Sequence, residues 1–157
     1  SQLLELIKDT YMTYPTDHEE IEHLLGRKPQ GSFEVVVRNS SGGASVIRND
    51  PFLDDGTPMP TLFWLVDPEE RRLVSQLESR GVIKEVEALI GLDRISETHS
   101  QYSLERDRYI PDQYKGPKPT GGVGGTRKGI KCLHAHYAFY LAGGEDPVGA
   151  WVANNIR

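Results

Sequence analysis

GIKCLHAHYAFYLAGG, residues 129–144, is the stretch whose reading decides the fold. At about 100° per residue, Ile130, Leu133, Tyr137 and Leu141 fall on one helical stripe, and Cys132, His136, Phe139 and Tyr140 fall on an adjoining one. Almost no wet face is left. A helix apolar nearly all round belongs inside a domain, which places a helix over 129–142 at the centre of the core with Lys131 near its exposed start. The same stretch holds the only cysteine and two of the five histidines.

Upstream, residues 32–38 are β-branched and aromatic, 39–43 form a turn cluster, and 44–48 continue as a second strand, together a β-hairpin. TLFWLV, residues 61–66, is a continuous apolar run short enough for a buried strand. Three strands with a helix over one face make a small stable sheet. Asp67 and Pro68 start a helix with a capping carboxylate and a proline at the first helical position, and Leu73, Val74 and Leu77 face inward. Residues 82–92 repeat the pattern, whereas 96–109 read as a polar surface helix that could seat a partner protein. A helix over 17–25 ends at Gly26, and Asp146 with Pro147 starts a terminal one. Residues 1–15 read as an N-terminal docking segment, helical over 1–12 and ended by Pro15. Residues 111–125 are a loop rich in proline and glycine. The expected architecture is α+β: a single domain over 1–157, with a mostly antiparallel sheet of about three strands packed by several helices around the central one.

At 157 residues and 37% hydrophobic, the chain can bury one real core. The formal charge of −5 disfavours nonspecific binding to duplex nucleic acid. A lone cysteine excludes an internal disulfide, and no run approaches the roughly 18 apolar residues of a membrane span, so the cytoplasm is the expected location.

Three groups of residues could carry chemistry. Cys132 and His136 stand four apart, so on a helix they share a face and could act as nucleophile and base, with Asp55 nearby, in a hydrolase or transferase. The competing reading is a buried structural cysteine on an apolar face. His134 would point away from Cys132 on the same helix, so the local triplet does not close around a metal. His18, His23, His99, Asp54 and Asp55 are the donors left to complete a site, and no metal is expected.

The second group is GGVGGTRKGIK, residues 121–131, in which a glycine-rich run feeds a helix start. The backbone of Gly124, Gly125 and Thr126, with Arg127, Lys128 and Lys131, could hold an anion there. Cations beside a positive helix end cost a few tenths to about 1 kcal/mol unless an anion lies between them. The alternative is a solvated linker. Neither a P-loop nor a spaced dinucleotide-binding glycine motif is present, and no cofactor is expected. If the fold brings Arg27 and Lys28 toward Arg127, they would enlarge the basic patch. Ordering residues 111–125 costs about 1 to 2 kcal/mol each, and their few apolar groups point to a bound anion or partner as the source of order. The third group, Asp54 to Thr57, could serve acid-base work or hold magnesium, but is first of all good turn chemistry. The leading function is recognition of a phosphate-bearing small molecule or protein partner. The composition carries no signal for oligomeric state.

Three blocks, LGRKPQG at 25–31, PFLDDGTPMPTLFWL at 51–65 and GIKCLHAHYA at 129–138, resemble a bacterial family known as domain of unknown function 501. The resemblance implies an intracellular bacterial protein, often encoded near genes of cell division and polyphosphate metabolism, and brings no activity with it. Many members look as though they carry Cys-x-Cys-Gly at the first hairpin turn, where this chain has Asn39, Ser40, Ser41 and Gly42. Metal binding through those cysteines is not carried over.

Overall fold

The computed structural model describes residues 14–157, and the docking helix expected over 1–12 lies outside them. Thr16 opens helix α1 (Asp17–Leu25) by accepting the Glu19 amide on its hydroxyl, and Gly26 ends it at φ 73°. Three antiparallel strands follow in sheet order β1 (Phe33–Arg38), β2 (Ala44–Asn49) and β3 (Phe63–Leu65). Pairing Val46 with Leu65 and Ile47 with Trp64 sets the register and sorts the side chains onto two faces. Ile47, Val66 and Ala44 pack with Ile21 of α1 on one side, and Val46, Phe63 and Leu65 join the main core on the other. Both faces of the sheet are thus covered, one more than the sequence pattern required. α1 is held there by Glu20, whose carboxylate accepts the Ala44 amide (2.9 Å) and an Arg38 N–H (3.2 Å).

Asp67 accepts the Glu69 and Glu70 amides to start α2 (Pro68–Ser79), and α3 (Ile83–Ile90) and α4 (Leu92–Asp107) follow. The central helix α5 (Leu133–Leu141) packs on β3, and Asp146 caps α6 (Pro147–Asn155) through the Val148 and Gly149 amides. Together these make one α+β domain, in which no helix among the described residues is long and apolar enough to cross a membrane. Ile130, Leu133 and Tyr137 are buried in one cluster with Phe63, Leu65 and Leu77, and Leu141 packs half-buried against it.

Two expectations are corrected. The central helix begins at Leu133 rather than 129, because Gly129 takes φ 64° and Cys132 is extended at φ −153°, ψ 153°. The helix expected over 96–109 spans Leu92–Asp107 and is not a surface helix: its inner side buries Ile95, Thr98, His99, Tyr102 and Arg106. The Tyr102 hydroxyl accepts the Leu62 and Phe63 amides at 2.6 and 3.1 Å, and burial pushes its pKa up to about 12.

The same side of α4 fastens the loop at 111–125, so no ligand is required to order it. Arg106, 1% exposed, donates to the carbonyls of Pro60, Pro119 and Gly121, and Ser103 donates to Gly121 as well. His99 Nδ1 accepts the Val123 amide (3.0 Å), which leaves Nε2–H to donate to the Gly129 carbonyl (2.7 Å). A side chain at residue 122 would collide with His99, so only glycine fits there.

Leu133 is fully buried, and Leu133→Ala is expected to cost about 2 to 5 kcal/mol in chemical denaturation. Burial, above all, lowers the His99 pKa, and a proton on Nδ1 would displace the Val123 amide. A depressed folded pKa means that the unfolded chain takes up the proton first. The contribution of His99 is therefore intact above about pH 6.5 and is lost as pH falls from there toward the lowered folded value. Urea midpoints measured from about pH 7 to about pH 5 should fall, and fall less in His99→Gln.

Candidate functional site

The approach to α5 is held by carboxylates from two earlier helices. Glu87 of α3 accepts the Ile130 amide (2.9 Å), and Glu78 of α2 accepts the Leu133 amide (2.7 Å). This places Cys132 at the cap position, with its side chain set off from the helical face. The expected pairing of Cys132 with His136 over one helical face does not form. His136 is fully buried, and its Nδ1 lies 2.6 Å from Oδ2 of Asp146, the residue whose other oxygen caps α6. That histidine joins two helices inside the core.

His134, which a helix begun at 129 would turn away, is instead the neighbour of Cys132. The half-buried side chains of Glu78, Cys132 and His134 bring their ligand atoms within 4.8 Å of one another. His134 Nδ1 lies 3.1 Å from Glu78 Oε1, while Nε2 lies 3.2 Å from Ser75 Oγ and 3.3 Å from the Arg71 carbonyl. Burial pushes the Cys132 thiol up; Glu78 adds to this, and the Ala135 and His134 amides and Lys131 only oppose it. At neutral pH the sulfur is a thiol rather than an activated nucleophile.

Cys132 and His134 line a groove of about 610 Å³. Arg27, Arg71 and Lys131 come to it from the end of α1, from α2 and from the approach to α5, and Trp64 and Gly124 also line it. The Arg27 guanidinium sits 5.7 Å from the Trp64 ring centroid. All three cations are exposed, and among the described residues none forms a salt bridge.

The remaining expected residues lie elsewhere. Gly125, Arg127 and Lys128 are exposed outside the groove lining, and the Thr126 hydroxyl donates to the Lys128 carbonyl. Asp55 is exposed, and hydrogen bonds from the Thr57 side chain and then from the Thr57 amide (2.9 Å) lower its pKa, contacts that belong to a turn. At the hairpin turn, Asn39 accepts the Ser41 and Gly43 amides and donates to Asp67, which ties the turn to the start of α2. Sequence reasoning missed Arg71 and Glu78. Their signal is the polar stripe Arg71, Ser75, Glu78 at helical spacing beside the apolar one on α2.

Comparison with curated proteins and with solved structures returns no match. A family model described as Protein of unknown function (DUF501) matches residues 35–154, from β1 to the last turn of α6. That span contains α2, α5 and the loop between α4 and α5, hence every residue of the groove except those at the end of α1. With most of its length matched in this way, the chain belongs to the DUF501 family.

Proposed function

We propose that the groove binds a phosphate-bearing small molecule. The observation that carries this reading is the convergence of Arg27, Arg71 and Lys131, three cations without acidic partners among the described residues, on one concavity. Such an arrangement leaves positive potential unneutralised in a cleft, where low-dielectric walls focus it on an anion. The two arginines present planar donor forks suited to phosphate oxygens, and Lys131 adds a mobile ammonium. Trp64 offers an aromatic wall to whatever the phosphate is attached to. Of the residues expected at the anion site, Gly124 and Lys131 are retained in this reading. Gly125, Thr126, Arg127 and Lys128 lie outside its lining.

The test is to titrate orthophosphate, pyrophosphate and nucleotides into the chain, in the presence of a chelator, and to follow backbone amide shifts. Pyrophosphate or a nucleotide should move the Gly124, Lys131 and Trp64 signals at or below millimolar concentration. Each charge-assisted contact contributes about 1.5 to 3 kcal/mol, so Arg71→Ala with Lys131→Ala should weaken binding by at least about tenfold. Arg127→Ala with Lys128→Ala should weaken it less. Shifts absent from wild type at millimolar anion would end this reading.

A further inference from the structure

Both ring nitrogens of His134 face partners: Nδ1 a Glu78 carboxylate oxygen at 3.1 Å, and Nε2 the Ser75 hydroxyl at 3.2 Å and the Arg71 carbonyl at 3.3 Å. A neutral imidazole carries one N–H, which either nitrogen can hold. With Nε2–H given to Arg71, the Nδ1 lone pair, the Glu78 carboxylate and the Cys132 sulfur share one small volume. A divalent cation there would satisfy all three. A backbone carbonyl on the far nitrogen is also the usual means by which a ligating histidine is oriented.

We infer that Glu78, Cys132 and His134 form a zinc site with three protein ligands and a fourth position open to the groove. A set of one sulfur, one nitrogen and one oxygen suits zinc better than the hard cations magnesium and calcium, which prefer oxygen throughout. The ligands come from two packed helices. Glu78 Oε2 is already fixed by the Leu133 amide, which leaves Oε1 to face the metal. Binding replaces the S–H bond of Cys132 with a zinc–sulfur bond, and the proton leaves to solvent. Thiolate and carboxylate together neutralise the charge of the ion. Cys132 and His134 line the groove, so a water or a ligand oxygen could take the fourth position. The inference does not depend on the anion reading, because metal can be titrated alone.

The full chain, stripped with chelator, is titrated with Co²⁺ and followed by absorption. The expected result is a sulfur-to-cobalt charge-transfer band in the near ultraviolet with strong visible bands of tetrahedral coordination, saturating at one ion per chain and abolished by Zn²⁺. Cys132→Ser should remove the charge-transfer band. His134→Ala should lower Co²⁺ affinity by more than about 100-fold, beyond the 10- to 100-fold typical of an outer-shell change. His18→Gln, on α1 and outside the cluster, should leave both unchanged. Circular dichroism confirms that each variant is folded, and the wild-type spectrum decides the matter even if one is not. Absence of the charge-transfer band in wild type, or its survival in folded Cys132→Ser, would overturn the site and leave His134 as a hydrogen-bond partner of Glu78 and Ser75.

Discussion

The guanidinium of Arg106 is the constraint on which the arrangement of this domain turns. A charge taken almost wholly out of water is costly unless its donors are matched. Here they are matched by the carbonyls of Pro60, Pro119 and Gly121, with the Asp107 carboxylate at 3.0 Å from Nε. These acceptors belong to separate pieces of chain: the entry to β3 and two points of the loop after α4. Proline has no N–H, so a loop rich in it cannot build a ladder of its own, but its carbonyls remain free to accept. Arg106 uses that property to fix a segment with few apolar groups. Remove the arginine, and buried carbonyls lose their partners along with the loop that delivers Gly124 and Lys131 to the groove.

How much of this could be read from the residues depended on whether the signal was local. Thr16, Asp67 with Pro68, and Asp146 with Pro147 each announce a helix within a few residues, and all three helices start where those residues place them. The strands were legible because β-branched and aromatic runs are bounded by turn residues. The start of the central helix was not. Its first amide is met by Glu78 and the Ile130 amide ahead of it by Glu87, both from other helices, so no Ser, Thr, Asp or Asn marks the boundary, and the apolar pattern runs on through Ile130. A four-residue error in that boundary turned Cys132 toward the wrong histidine. Likewise α4 looked polar because Tyr102, His99 and Arg106 bury their bodies while using polar tips, which a count of apolar residues scores as wet.

The two histidines that flank Ala135 illustrate how one turn of helix divides structural from candidate functional chemistry. His136 points into the domain, meets Asp146 and lies 5.8 Å, ring to ring, from His99. His134 points outward to the stripe on α2 and to the groove. Identical side chains two residues apart therefore sit in opposite dielectric surroundings, one fully buried and the other in reach of solvent.

The carboxylates that meet α5 have a consequence for how the chain acquires its structure. Glu78 lies 55 residues before the amide it accepts, and Glu87 lies 43 before its own. A nine-residue helix is too short to persist in water by itself. Its N-terminus is completed only once α2 and α3 are in place, and residues of all three helices share one buried cluster. The start of the central helix therefore rests on tertiary contact with α2 and α3 rather than on a capping residue of its own.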